Sequence, residues 1–280
     1  KIMNRYIITD STAYLDKDVI NKYNISVVPL NVHLKDKSFK EGIDISNQDY
    51  YQMLKSEPIF PATSQPASGD FLSLFNKMEN GDEVLFISLS SKLSGTMQSA
   101  QIASNITNKK LKIYIHDSKS AAAGMALQVI KAAEMLQDGY DMPSIVSYLE
   151  DMRKRTKFFF MVNDLEYLAR GGRIGKAAST LGNIIQLKPI LWIDDGEISL
   201  FDKVRSKQKA LKLIISQVEK EKDNLEAVMV ATVDSHQETY QLQQEIQKLS
   251  PIPVGFLDVG PVIGTHVGPG SLGIAFATKK

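Results

Sequence analysis

The chain has 280 residues with a formal net charge of +1 at pH 7, and 43% of its residues are hydrophobic and 23% charged. This length suffices for two domains, and the near-neutral charge excludes an overall basic surface for nucleic acid. The sequence contains no cysteine, which excludes disulfides, thiolate metal ligands and cysteine nucleophiles. No apolar run reaches the ~20 residues of a membrane-spanning helix, and the first residues do not resemble a secretion signal. We therefore expect a cytoplasmic protein without a membrane span.

The first half of the sequence alternates short apolar runs with helical patterns. The apolar runs predict strands at 6–9, 25–34, 84–87 and 111–115. The helical patterns predict helices at 16–23, 46–57, 68–78, 95–104 and 121–136. Such alternation indicates βαβ units around a parallel sheet, and the continuous apolar run at 84–87 is typical of a strand covered on both faces. Residues 1–155 are therefore predicted to form an N-terminal parallel-sheet α/β/α domain.

The rhythm changes after residue 155. Strands are predicted at 158–162, 225–233, 254–259 and 274–277. The runs 189–193 and 197–200 flank Asp194-Asp195-Gly196, in which the Asp-Gly pair is typical of a tight hairpin turn. A hairpin mixed with helices indicates a C-terminal α+β domain at 156–280. The predicted fold class is therefore α/β.

Loops rich in hydroxyl residues and glycine follow most of the apolar runs. In an open α/β sheet, ligands bind at the carboxyl ends of the strands. Short hydroxyls and backbone N–H groups that converge there can hold an anion without supplying a nucleophile, a base or a metal. The sequence therefore predicts a protein that holds a carboxylate rather than one that breaks a bond. The loops read Thr9-Asp10-Ser11-Thr12, Ala62-Thr63-Ser64-Gln65-Pro66, Ser90-Ser91-Lys92-Leu93-Ser94-Gly95-Thr96, Gly171-Gly172-Arg173-Ile174 and Gly264-Thr265-His266-Val267-Gly268-Pro269-Gly270.

Some of these motifs also have simpler interpretations. Thr63-Ser64 and Ser94-Gly95-Thr96 are either helix caps and turns or an anion site at a helix N-terminus. Residues 268–273 match GxGxxG, but a strand pattern follows them, which favours a glycine turn over a dinucleotide site. Ser206 opens an SxxK match, where a helix cap is favoured over a catalytic serine.

The four histidines lack the spacing of metal ligands, so no metal site is predicted. A structural role is favoured for His116, which ends a predicted strand. His266 lies between glycines in a predicted loop, where its imidazole either donates a hydrogen bond to an anion or only packs. The basic stretches at 153–157 and 203–212 predict solvated faces or a patch for an acidic partner or a phosphate. Arg173 is more specific, because its planar fork of donors suits phosphate.

Taken together, these motifs resemble those of the DegV family, the bacterial fatty acid-binding proteins, over essentially the whole chain. The usual family form of the serine loop has glycine where this chain has Lys92, a change that could alter the rim of the loop but leaves Ser94 in place. The resemblance rests on Thr9-Asp10-Ser11-Thr12, Thr63-Ser64-Gln65-Pro66-Ala67, Leu89-Ser90-Ser91-Lys92-Leu93-Ser94-Gly95-Thr96, Asp117-Ser118-Lys119, Gly171-Gly172-Arg173-Ile174, Lys188-Pro189-Ile190, Val204-Arg205-Ser206 and the glycine-rich segment around His266.

The resemblance implies that one long-chain fatty acid binds between the two domains, with its tail in an apolar tunnel. It implies no cofactor, no metal and no catalytic residue in this chain. The carboxylate-binding residues would be Thr63, Ser94 and His266, with Ser64, Gly95 and Thr96 as the supporting loop.

The resemblance also implies a protein partner. Some family members are the substrate-carrying subunit of a two-component fatty acid kinase. A separate ATP-binding subunit phosphorylates the bound carboxylate, and the acyl phosphate feeds phospholipid synthesis. Arg173 and Arg205 would then lie near the carboxyl end and the kinase contact.

Two other functions stay open at this point: a stand-alone hydrolase or transferase that acts on an acyl substrate, and a lipid-sensing regulator. The sequence has no cysteine, no metal-ligand spacing and no serine–histidine–acid motif, which favours a carrier over an enzyme. It has no recognisable nucleic-acid-binding module, which weighs against the regulator.

Overall fold

The computed structural model of the protein describes residues 3–56, 59–181 and 187–280. The strands are β1 Arg5–Asp10, β2 Ser26–Val28, β3 Asn31–Leu34, β4 Lys37–Lys40, β5 Ala62–Ser64, β6 Glu83–Ser88, β7 Lys112–Asp117, β8 Thr156–Met161, β9 Lys188–Asp194, β10 Glu197–Val204, β11 Leu225–Thr232, β12 Gly255–Asp258 and β13 Leu272–Thr278. The α-helices are α1 Lys17–Tyr23, α2 Asn47–Ser56, α3 Ser68–Phe75, α4 Thr96–Ile106, α5 Ala122–Gln137, α6 Met142–Arg155, α7 Glu166–Arg170, α8 Ala177–Leu181, α9 Lys207–Lys220, α10 His236–Leu249 and α11 Pro261–Val267. Among the described residues, no helix combines the length and the low polarity that crossing a bilayer requires.

The predicted parallel sheet is present in the first half, with strand order β2-β1-β6-β7. β6 lies inside this sheet and all six of its residues are buried, as its continuous apolar run predicted. Phe71 and Phe75 of α3 pack on one face of the sheet, and Met125 of α5 packs on the other. The carboxyl ends of β1 and β6 lead into the loops at 11–14 and 89–95, so two of the hydroxyl-rich motifs meet at one edge.

The single strand predicted at 25–34 is wrong, because the chain forms two strands there. β2 ends at Val28 on the edge of the parallel sheet, whereas β3 begins at Asn31 in a separate antiparallel sheet of order β4-β3-β5. Pro29 has no N–H and cannot continue a ladder, and Leu30 donates its N–H to Ser11 Oγ at 3.0 Å instead. The sequence did not predict β4 and β5, which are only 4 and 3 residues long.

The second half forms a six-stranded mixed sheet of order β10-β9-β8-β13-β11-β12. The predicted hairpin is confirmed, and Asp195 and Gly196 form its two-residue turn with φ of +46° and +86°. One face of this sheet packs against α9 and α10 in a core that includes Phe159 and Ile214. The opposite face shares one continuous core with α5 and the parallel sheet.

Several local predictions are confirmed. Ser206 caps α9 by accepting a backbone N–H bond at 3.2 Å, so the SxxK match is a helix start. The GxGxxG match leads into β13 at Leu272 rather than into a helix. Ser46 caps α2 by accepting a backbone N–H bond at 3.1 Å. The predicted end of this helix at Glu57 lies outside the described residues.

The division into domains at residue 155 stays a prediction. α6 ends at Arg155 and β8 begins at Thr156, so the proposed boundary falls between a helix and a strand. Helix α5 of the first half packs directly on β8, β11 and β13 of the mixed sheet. The two halves therefore meet through buried apolar contacts as well as through the chain itself.

The aromatic core on the far face of the mixed sheet can be tested at Phe159. Its ring contacts those of Trp192, Phe201 and Phe276, with centroid separations between 4.7 and 6.2 Å. We expect Phe159→Ala to lower the free energy of unfolding by about 3–5 kcal/mol, because a cavity replaces the ring. Denaturant unfolding followed by the fluorescence of Trp192, the one tryptophan of the chain, measures this loss. Tyr240→Ala is the control at a ring that is 58% exposed, and an equal loss in both variants would contradict the prediction.

Candidate functional site

A cavity of about 310 Å³ lies where the two halves of the chain meet. Its walls come from the loop after β6, the first residues of α5, the three-stranded sheet, α11 and one face of the mixed sheet. The volume is at the lower end of the ~300–1,000 Å³ typical of small-molecule sites. The cavity therefore has the size and the position of a binding site at the junction of two sheets.

Most of the cavity wall is apolar. Phe158 and Phe160 of β8 line it, whereas the intervening Phe159 packs in the opposite core, since successive residues of a strand face opposite ways. Apolar side chains from α5, the hairpin, β11 and α11 complete the wall, among them Ala121, Ala122, Ile193, Ile198, Ala231 and Val262. An occupant that fits this wall is itself apolar, because burying it there removes hydrocarbon surface from water.

Seven polar side chains line the cavity. Ser271 is buried and donates its hydroxyl hydrogen to the Val267 carbonyl at 2.8 Å. The other six gather at one end of the cavity, and they are Thr63, Ser64, Gln65, Ser94, Arg173 and His266. All of them except His266 are half-buried or exposed, whereas most of the apolar lining is buried. The polar end is therefore the end nearer to solvent. We call this set the polar cluster.

Thr63 and His266 are in direct contact in the polar cluster. Thr63 Oγ1 lies 2.7 Å from His266 Nε2, although 203 residues separate the two in sequence. Both were expected in loops, and this is wrong. Thr63 belongs to β5, where it pairs with Val32 of β3, and His266 belongs to α11. The helix was missed because its sequence is short and rich in glycine, although Pro261 at its first position is a helix-start signal.

The serine loop brings the start of a helix to the same end of the cavity. Ser94 precedes α4, and its Oγ lies 2.9 Å from Thr96 Oγ1 and accepts the Thr96 N–H at 3.3 Å. Gly95 occupies the position just before the helix. The positive end of the α4 dipole therefore faces this region, which favours a negative charge there. Ser64 Oγ also lies 2.8 Å from Nε2 of His33, a residue of β3.

Arg173 lies in the wall of the cavity. Its Nη1 donates to the carbonyl of Gly171 at 2.7 Å, and its Nε donates to the carbonyl of Leu93, beside Ser94, at 3.3 Å. The Gly171 backbone also approaches the histidine closely, because a Cβ at this position would lie 2.2 Å from His266 Nδ1. The glycine motif 171–174 therefore places the Arg173 guanidinium and the Gly171 peptide near the His266 imidazole.

His266 is 8% exposed, and its Nδ1 has no hydrogen-bond partner among the described residues. Burial, reinforced by the positive charge of Arg173, lowers the pKa of His266 from 6.5 to about 4. The imidazole is therefore neutral at pH 7. It offers one N–H and one lone pair, and the tautomer decides which of them faces Thr63.

The structure does not bring Arg205 to the polar cluster. Arg205 is exposed and follows the last residue of β10, whereas Ile198 of the same strand lines the cavity. At ~3.3 Å per residue, Arg205 lies roughly 20 Å along the strand from Ile198. The two arginines that the sequence analysis grouped together therefore occupy different places.

Gln65 is a member of the polar cluster to which sequence reasoning gave no role, although it was quoted within the Thr63-Ser64-Gln65 motif. Its Nε2 donates to Ser99 Oγ of α4 at 3.0 Å, which joins the residue after β5 to the helix that follows the serine loop. The apolar lining was missed as well, although the continuous apolar run at 158–162 is the signal of a strand whose two faces are both covered.

The polar cluster is suited to hold an anion. Its hydroxyls, guanidinium and imidazole are hydrogen-bond donors, and Arg173 contributes a permanent positive charge. In a catalytic triad, an acidic side chain is hydrogen-bonded to the histidine nitrogen that does not contact the nucleophile. In this protein that nitrogen, His266 Nδ1, faces the Gly171 backbone. Among the described residues, no group of three or more histidine, aspartate or glutamate side chains could hold a metal ion.

The neutral state of His266 can be tested directly. In the ligand-free protein we expect its imidazole to titrate with a pKa of about 4, because burial disfavours the charged form. Long-range nitrogen–proton NMR spectra of histidine-labelled protein over a pH series measure this. In Arg173→Ala the pKa should rise toward the ordinary value, since a neighbouring positive charge is gone. A His266 that titrates near 6.5 in the parent protein would contradict the prediction.

Comparison with known proteins agrees with the geometry. Residues 5–279 match the family model described as "Uncharacterised protein, DegV family". A DegV domain-containing protein from Clostridium acetobutylicum is 37% identical over an alignment of 280 residues that covers 98% of each chain. The crystal structure of DegV from Bacillus subtilis, described as a fatty acid binding protein, is similar over 99% of this chain and 100% of its own, with 32% identity and a TM-score of 0.91. A protein from Eubacterium ventriosum described as stearic acid-binding is similar over 98% of each chain, with 27% identity and a TM-score of 0.89. The chain belongs to the DegV family.

Proposed function

We propose that this protein binds one long-chain fatty acid, with the tail in the apolar part of the cavity and the carboxylate at the polar cluster. The observation that carries this proposal is a single cavity whose apolar wall ends in hydroxyl, imidazole and guanidinium groups. The fatty acid binding described for the related structures from Bacillus subtilis and Eubacterium ventriosum supports it. Thr63, Ser94 and His266 are the proposed carboxylate donors, and Ser64, Gly95 and Thr96 support them.

The energetics of such a ligand fit the two parts of the cavity. A tail of about 16 carbons at ~0.8 kcal/mol per buried methylene gives on the order of 12 kcal/mol of gross driving force. The loss of translational and rotational freedom reduces this sum considerably. The carboxylate also leaves water, which is unfavourable unless several donors replace its hydration. The polar cluster supplies these donors.

We further propose that the protein is a carrier that presents the carboxylate to a separate ATP-binding kinase subunit in the cytoplasm, where an acyl phosphate forms for phospholipid synthesis. The position of the polar cluster at the solvent end supports this, since a partner can reach the carboxylate while the tail stays buried. Lys203, Arg205 and Lys209 near the start of α9 form an exposed basic surface suited to an acidic partner, whereas Lys207 pairs with Glu238.

The alternative of a stand-alone hydrolase or transferase finds less support. Thr63 could accept activation by His266 at 2.7 Å, but Nδ1 of that histidine has no acid to orient it. The lowered pKa of His266 also makes it a poor base at neutral pH.

The binding proposal predicts a bound lipid and a defined set of donors. Native mass spectrometry of the purified protein should detect one long-chain fatty acid from the expression host. Thr63→Ala and Ser94→Ala should each weaken fatty acid binding by about 1.5–3 kcal/mol, the worth of a hydrogen bond to a charged group. Fluorescence displacement titrations with a fatty acid of fixed chain length measure this loss.

Ser73→Ala is the matched control, since Ser73 donates only to the Gly69 carbonyl on the exposed side of α3. This variant should bind as the parent does. A parent protein that is empty and binds no fatty acid on challenge would overturn the binding proposal. Unchanged fatty acid affinity in both Thr63→Ala and Ser94→Ala would instead remove these two residues from the site.

The carrier proposal predicts that the two arginines act differently. Alone with ATP and Mg²⁺ the protein should form no acyl phosphate, because its sequence has no P-loop. With its cognate kinase, Arg205→Ala should impair phosphorylation while leaving fatty acid affinity unchanged, since Arg205 lies outside the cavity. Arg173→Ala should lower both, because its guanidinium lies at the polar cluster. Acyl phosphate formation by the protein alone would contradict the carrier proposal.

A further inference from the structure

The helix that carries His266 does not cap its own N-terminus. The residue before α11 is Gly260, which has no side chain, and the first helical residue is Pro261, which has no N–H. The N–H groups of the next two residues, Val262 and Ile263, point out of the first turn. Such groups need acceptors when they are buried, and in most helices a serine, threonine or aspartate at the cap supplies one.

Residues from the first half of the chain supply these acceptors. Val262 donates its N–H to Glu41 Oε1 at 2.7 Å, and Ile263 donates its N–H to Tyr14 Oη at 3.0 Å. Tyr14 in turn donates its hydroxyl hydrogen to Glu41 Oε1 at 2.8 Å. The carboxyl group of Glu41 therefore lies at the positive end of α11, where the helix dipole favours its charged form.

The same carboxylate is tied to the sheet that carries Thr63. Ser11 donates its hydroxyl hydrogen to Glu41 Oε2 at 2.5 Å and accepts the Leu30 N–H at 3.0 Å. The Glu41 N–H closes the loop by donating to the Leu30 carbonyl at 2.9 Å. Leu30 immediately precedes β3, and β3 pairs with β5 through Val32 and Thr63. Glu41 thus bridges the two segments whose side chains meet in the polar cluster.

The arrangement leaves little room for substitution. Glu41 is 3% exposed, and its two oxygens accept from three donors, which are the Val262 N–H and the hydroxyls of Ser11 and Tyr14. A Cβ at Gly260 would lie 3.0 Å from Glu41 Oε1 and 2.7 Å from the Tyr14 ring, so glycine is needed there for the carboxylate to approach. Burial raises the pKa of Glu41 to about 7, which is the cost of placing an acid here. An amide or an apolar side chain would leave at least one of the three donors unpaired.

We propose that Glu41 is a positioning residue for carboxylate recognition, which holds α11 against the three-stranded sheet so that His266 and Thr63 meet in the geometry that selects an acid head group. This inference rests on the proposed binding of a fatty acid in the cavity. Glu41 does not line the cavity and acts through α11 and β3. Its loss should therefore affect the choice of head group more than the burial of the tail.

The test compares palmitic acid with 1-hexadecanol, which have the same chain length and differ at the head group. Displacement titrations give the ratio of the two affinities for each variant. Glu41→Gln should lower the preference for the acid by about tenfold, the size of one charge-assisted hydrogen bond. The ratio cancels any loss that the two ligands share, such as a general loosening of the cavity wall.

Asp82→Asn is the matched control. Asp82 is also a buried acid (1% exposed) that accepts backbone N–H bonds, from Asn4 and Glu79 at 3.0 and 2.9 Å. It precedes β6, at the end of the parallel sheet opposite to the cavity. This variant should be destabilised yet keep the preference for the acid. A fall in the ratio as large as that of Glu41→Gln would overturn the inference, because it would mark a general effect of instability.

A second variant and an NMR measurement also test the role of Glu41. Tyr14→Phe removes one donor to Glu41 and the acceptor for the Ile263 N–H, so it should lower the preference for the acid even if Glu41→Gln does not fold. In either variant the imidazole NMR signals of His266 should shift in the ligand-free state. An unchanged ratio with unchanged His266 signals would overturn the inference. Failure of the parent protein to bind palmitic acid would instead overturn the proposed function.

Discussion

The contact between Thr63 and His266 is the interaction on which the polar end of the cavity depends. It joins a three-residue strand to a seven-residue helix, and neither element is long enough to be stable by itself. Each is held by other parts of the fold: β5 by its pairing with β3, and α11 by acceptors from the first half of the chain. The contact is thus a product of tertiary structure and depends on the core that the two halves share.

Burial has opposite effects on the two ionisable groups of this region. It lowers the pKa of His266 and raises that of Glu41, so both groups are pushed toward their neutral forms. At the polar cluster this leaves Arg173 as the source of positive charge. An arriving carboxylate would then meet one fixed cation and several neutral donors. Because Arg173 is half-buried, an ion pair there would carry a smaller desolvation cost than one in the core.

The sequence predicted the parallel sheet and the hairpin, because each depends on local patterns, whereas the grouping of Thr63, Ser94 and His266 was expected from the family resemblance. The continuous run in β6 and the Asp-Gly turn are independent of the rest of the chain. The split at Pro29 was missed because apolar residues stand on both sides of it. The roles of Glu41 and Gln65 were also missed, since they arise from contacts with residues far away in sequence. Gly171 was predicted to be part of an anion-binding loop. In the structure, its lack of a side chain lets the His266 imidazole lie close to the backbone.

The alternation along β8 places three successive phenylalanines in two unrelated environments. Phe158 and Phe160 face the cavity, and Phe159 faces the aromatic core behind the sheet. In a lineage that changes its ligand, selection can therefore replace the outer two while it retains the middle one. Substitutions at positions 158 and 160 would then follow changes of the bound molecule. Substitutions at position 159 would follow changes of the aromatic core behind the sheet.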